Sequence, residues 1–115
     1  MRTGIWLDKQ NAFIVKINQD VESLVILKSE IGNKGFEKDL HQLRKYSNNI
    51  LQEVDETDEL LIIGPTEVSQ YFRRHIEVCD KVLFEKIVAI KKEESMTENR
   101  IKTYVKDFFV NEIKV

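Results

Sequence analysis

Residues Leu60 to Gly64 read Leu-Leu-Ile-Ile-Gly, and this short stretch limits the fold more than any other. Four consecutive apolar side chains do not alternate, so they do not describe a strand with one wet face. They are also far short of the ~20 residues that a membrane-spanning helix needs. Acidic "VDETDE" precedes the run and Gly64-Pro65-Thr66 closes it, which is how a strand buried on both faces is punctuated. Such a strand requires helices above and below it, and hence a layered α/β chain.

The surrounding pattern supplies those layers. "TGIWLDK" and "AFIVKIN" read as two strands joined by a tight turn at Gln10-Asn11, and "VESLVILKSE" as a third, edge strand entered through Asn18, Gln19 and Asp20. The period then changes. Phe36, Leu40, Leu43, Ile50, Leu51 and Val54 recur at helical spacing and predict a helix over 36–54. After Leu60–Ile63, a second helix carries Val68, Phe72, Ile76 and Cys79 on its apolar side. "KIVAIKK" is a fifth strand, and Ser95 with Glu98 forms a capping-box pattern before a last helix. The order is β-β-β-α-β-α-β-α. Short turns make the first three strands antiparallel, and helical crossovers make the later ones parallel. The expectation is a ribonuclease-H-like, three-layer α/β/α fold around a five-stranded mixed sheet, formed by residues 1–115 as one domain.

Composition narrows the function. The formal net charge is −2 and the pI about 5.7, which lacks the basic excess of a protein held to nucleic acid mainly through phosphates. Local basic groups remain: Lys34, Lys38, Arg44 and Lys45 around the first helix, and Arg73 and Arg74 on the second. The single cysteine, Cys79, excludes an internal disulfide and suits a reducing compartment. With no apolar run of spanning length and no signal-peptide pattern at "MRTGIWLDKQ", a cytoplasmic protein without membrane contact is expected.

Chemistry finds little purchase. A two-metal nuclease needs converging carboxylates, yet only Asp8 is suggestively placed, and the end of the fourth strand is Gly64-Pro65-Thr66. Asp8 reads more simply as a turn residue. His41 and His75 lie on different helices without ligand spacing, so zinc is not expected, and His41 reads as a surface histidine. No catalytic residue, metal site or cofactor is assigned. The turn after the fourth strand poses one further question. Thr66 is placed to cap the helix, which would leave the backbone N–H groups near Val68 and Ser69 free for an anion. Glu67 already brings negative charge there, so Thr66, Val68 and Ser69 are better read as a connector.

"GIWLD" (Gly4 to Asp8), "LLIIGPTEVSQYFRRHI" (Leu60 to Ile76) and "KIVAIKKEESMTENRIKTYVKDFF" (Lys86 to Phe109) resemble small bacterial proteins related to the middle domain of the archaeal and eukaryotic peptide-chain release factor and of Pelota. The resemblance implies a translational machinery component with a ribonuclease-H-like fold. In the release factor this domain carries Gly-Gly-Gln between the third strand and the long helix. The matching segment here, "EIGNKGFEKDLHQLRK", has Gly32 and Gly35 apart and no glutamine after either, so hydrolytic activity does not carry over.

Three readings follow, in order. The first is a non-catalytic binding module for ribosome, tRNA or a translation factor, acting through Lys34, Arg44, Lys45, Arg73 and Arg74. The second is a homo-oligomeric module (a homodimer) without nucleic acid, docking through the apolar tail of Phe108, Phe109, Val110 and Ile113. The third is a cryptic metal-dependent nuclease or peptidyl-tRNA hydrolase.

Overall fold

In a computed structural model, residues 1–19, 21–30 and 40–112 are described, the last two by backbone alone. Five strands, β1 (Arg2–Leu7), β2 (Asn11–Asn18), β3 (Val21–Lys28), β4 (Glu59–Gly64) and β5 (Ile87–Lys92), form one sheet in the order β3-β2-β1-β4-β5. β1 pairs antiparallel with β2 and parallel with β4; β2–β3 is antiparallel and β4–β5 parallel. The expected mixed sheet is therefore present, with β3 at its rim. Leu60–Ile63 lies inside it, between β1 and β5, and all four side chains are buried.

The helices are α1 (Leu40–Val54), α2 (Thr66–Cys79), a short α3 (Lys81–Phe84) and α4 (Glu98–Asp107), which runs on into a π-helical turn, Phe108–Glu112. Residues 36–39, where α1 was expected to begin, lie outside the described residues. Both crossovers, β3–α1–β4 and β4–α2–β5, move across the sheet in the same direction. A right-handed path therefore puts α1 and α2 on the same face. There Leu43, Tyr46, Ile50, Val54, Val68, Phe72 and Ile76 pack on Ile5, Leu7, Ile14, Leu60 and Ile62. On the opposite face Ile101, Val105, Phe108 and Phe109 cover Trp6, Val15, Leu61 and Ile63.

Two glycines permit close approaches. Gly64 leaves β4 at φ +147°, and a side chain there would collide with the Leu7 carbonyl. Gly4 lies beneath α4, where a Cβ would stand 2.7 Å from Val105 Cγ1.

Four sequence expectations need correction. The β1–β2 turn occupies residues 8–10 rather than Gln10-Asn11, since Asn11 already belongs to β2; Asp8 is the turn residue expected, its Oδ1 accepting from the backbone N–H groups of Gln10 and Asn11 at 2.8 Å each. Thr97, not Ser95, caps α4: its hydroxyl accepts from Arg100 N–H at 3.2 Å. Met96 before that cap and Ile101 four residues after it share the α4-side core, a hydrophobic staple that a start at Ser95 would break. Cys79 is exposed at the end of α2. Phe108 and Phe109 are buried against their own sheet, so they are not free for a neighbouring subunit; Val110 is exposed and Ile113 lies outside the described residues.

Candidate nucleic-acid interface

Because α1 and α2 lie side by side on one face, their outer surfaces form a groove of about 400 Å³, lined by Arg44, Asn48, Tyr71, Arg74, His75, Val78 and Cys79. Helical spacing explains the set. Arg44 and Asn48 are four apart on α1; Tyr71, His75 and Cys79 are successive four-residue steps on α2, one stripe away from the buried Phe72 and Ile76.

The groove has a bonded floor and an exposed, charged rim. Asn48 Oδ1 lies 2.7 Å from His75 Nε2, bridging the two helices. The Tyr71 and His75 rings are nearly parallel, at 14°, with centroids 6.3 Å apart. Burial, then the positive charge of Arg44, holds the His75 pKa below its usual value, so its imidazole is neutral at pH 7. Arg44 and Arg74 are exposed on the rim. Cys79 Sγ stands 3.8 and 3.9 Å from the two ring nitrogens of His75. A sulfur equidistant from both nitrogens is not aligned for in-plane proton transfer. The Asn48–His75–Cys79 set is thus a positioning contact rather than a nucleophile.

The cations expected to act together are divided by the fold. Arg44 and Arg74 share the groove. Arg73, one residue away in sequence, turns aside: its Nε donates to Gln70 Oε1 at 3.2 Å and its guanidinium lies 5.8 Å from the centre of the Phe84 ring. Lys45 pairs with Glu30 at 3.5 Å on the far side of α1. Lys34 lies outside the described residues, as does the glycine-bearing part of the segment matched to Gly-Gly-Gln. Sequence reasoning missed Asn48, Tyr71 and His75 as groove residues, although the Tyr71–His75–Cys79 spacing was there to be read.

The turn after β4 is built differently from the capped helix start that the sequence suggested. Pro65, not Thr66, is the flanking residue of α2, and no side chain caps that end; Thr66 is the first helical residue and is exposed. Ser69 N–H donates to the Pro65 carbonyl at 3.1 Å, so it is not free. Val68 and Ser69 are buried, and Ser69 Oγ has no hydrogen-bond partner. The hollow beside them, about 360 Å³, is rimmed by both Asp8 and Glu67. Asp8 is further tied down through its carbonyl, which accepts from the Tyr46 hydroxyl at 3.1 Å. Among the described residues no three His, Cys, Asp or Glu side chains gather as a metal site, and no helix is long and apolar enough to cross a membrane.

The fold is a layered α/β arrangement on a five-stranded mixed sheet, of the kind seen in solved structures of Pelota and of an archaeal translation termination factor. No known family model and no curated protein sequence matches the chain. Solved structures do. Archaeoglobus fulgidus Pelota matches over 97% of this chain and 32% of its own, with TM-score 0.68 at 10% identity. The archaeal translation termination factor aRF1 matches over 98% of this chain and 41% of its own, with TM-score 0.57 at 13% identity. Thermoplasma acidophilum Pelota matches over 96% and 32%, with TM-score 0.52 at 14% identity. The chain spans between about a third and two-fifths of these proteins, and at such identities the likeness establishes the fold.

Proposed function

We propose that this protein is a non-catalytic module of the translation apparatus that holds a single-stranded segment of RNA in the α1–α2 groove. The observation that carries the translation reading is the match of nearly the whole chain to Pelota and aRF1 folds. The groove supports RNA as the ligand, because two exposed guanidiniums flank a flat Tyr71–His75 floor. Arg44 and Arg74 would each engage a phosphate, and a base would stack against the rings. The ribosome or tRNA is the source of such a strand. The second reading, a homodimer through the C-terminal tail, loses its footing with Phe108 and Phe109 buried.

Co-sedimentation of the protein with ribosomes, and fluorescence-anisotropy titration with a short single-stranded RNA, test this at several salt concentrations. Two phosphate contacts give a slope of log K against log salt of roughly −1.4, and Arg74→Gln lowers its magnitude by roughly 0.7. Arg73→Gln, at a residue turned to Phe84, leaves the slope unchanged. Equal effects of the two substitutions, or binding without salt dependence, would remove the groove from the reading.

A further inference from the structure

We propose that β3 is a self-pairing edge, through which two copies of this chain join their sheets into one ten-stranded sheet about a two-fold axis at Val25. This is independent of the groove and of its ligand. Among the described residues no strand pairs with the outer edge of β3 or of β5, but the two edges are built differently. β5 is six residues long and ends in Lys91-Lys92, a charged finish of the kind that discourages strand addition. β3 is eight residues long, and its centre, Leu24-Val25-Ile26-Leu27, carries no charge. Ile26 remains 44% exposed and Val21 69% exposed. A row of backbone donors and acceptors beside exposed apolar side chains is a template for another strand.

The sequence of β3 says which strand fits. Placed antiparallel to itself about Val25, Glu22 stands opposite Lys28 of the second copy, twice over, and Leu24 opposite Ile26, twice over. Within the chain these charges face no opposite charge across β2, where Glu22 pairs with Ile17 and Lys28 with Asn11. The register also keeps each face intact. Leu24 belongs to the α4-side core, while Val25 and Leu27 pack on the α1 side, and this pairing places even positions opposite even and odd opposite odd. Moving the axis to Ile26 sets Glu22 against Glu30, and moving it to Leu24 sets Glu22 against Ile26. Of these three axes only Val25 sets opposite charges together and Leu24 against Ile26, while placing Ser23 opposite Leu27. Glu22 already receives Lys106 of α4 at 2.6 Å, which fixes the carboxylate at the edge where Lys28 of the second copy would meet it. Roughly six to eight new backbone hydrogen bonds would close the seam.

Sedimentation velocity on the full chain decides the matter. A concentration-dependent dimer is expected for the wild type. Lys28→Glu places like charges at two points of the seam and should raise the dissociation constant roughly tenfold or more. Glu22→Lys should do the same. An equimolar mixture of the two variants should recover a dimer, because each then supplies the charge that the other lacks. A wild type that stays monomeric up to millimolar concentration overturns the proposal. So does a dimer insensitive to Lys28→Glu, or a mixture that stays monomeric. Should Glu22→Lys fail to fold through loss of the Lys106 bridge, Lys28→Glu decides alone, since it alters an exposed side chain.

Discussion

Adding one methyl group to β1 offers the sharpest test of how the α4 layer is seated. In Gly4→Ala the new Cβ would lie 2.7 Å from Val105 Cγ1 and 3.1 Å from Val105 Cβ, well inside ordinary contact. Val105 is fully buried on α4, and a β-branched side chain in a helix has essentially one comfortable rotamer, so it cannot swing aside. Overpacking of this kind costs about 1–3 kcal/mol, offset by about 0.4–1 kcal/mol from the stiffer unfolded chain. The net loss is about 1–2 kcal/mol, which at a urea slope of about 1.5 kcal/mol/M moves the unfolding midpoint down by roughly 1 M. Val105→Ala alone removes the obstructing methyls and costs about 2 kcal/mol in transfer and cavity terms. In the double variant the methyl added at position 4 occupies space that the valine side chain vacated. Its cost should therefore fall short of the sum of the single costs by about 1–2 kcal/mol. Urea titrations of the four proteins, followed by tryptophan fluorescence from Trp6, measure that coupling. Additivity within about 0.5 kcal/mol would refute the contact as the reason for glycine at position 4.

Two further outcomes follow from Phe109 and His75. Phe109→Ala should destabilise the chain itself by about 3–5 kcal/mol, because the ring is 1% exposed in the α4-side core; a variant with wild-type midpoint and altered association would return the tail to the surface. For His75, the folded state holds the pKa below the ordinary 6.5, so the unfolded chain takes up the proton first. Its contribution to stability is complete above about pH 7, shrinks as pH falls through 6.5, and levels off below the folded pKa. Subtracting the pH–stability curve of His75→Gln from that of wild type should isolate this decline; a difference that is flat from pH 7 to 5 would contradict it.

The fold was largely legible because each element declared its period. The unalternating Leu60–Ile63 run required cover on both sides, and the change from twofold to helical spacing after β3 placed the crossovers. What escaped prediction depended on contacts between elements. Ser95 and Thr97 are both adequate caps by local chemistry, and only the packing of Met96 with Ile101 selects between them. Arg73 and Arg74 are adjacent in sequence, but α3, too short to show a period, supplies the Phe84 ring that draws Arg73 aside. Cys79 falls just past the last apolar step of its helix and so reaches water. The groove itself was invisible, since it depends on how far apart α1 and α2 stand.

The right-handed path that sends both crossovers over one side of the sheet leaves the reverse side the single helix α4 and its π-helical turn as its roof. A lone cylinder about 10 Å wide cannot shelter several strands with aliphatic side chains. The shortfall is met by ring size. Trp6 and Phe13 meet edge to face at 5.9 Å, and Phe108 and Phe109 do so at 5.3 Å. The indole N–H of Trp6 reaches the Glu94 carbonyl at 3.1 Å, which ties the eave of that roof to the segment ahead of α4. The two sides should therefore age differently under mutation. The double-helix side can trade one aliphatic for another, whereas the single-helix side has no spare span and must keep its large flat tiles.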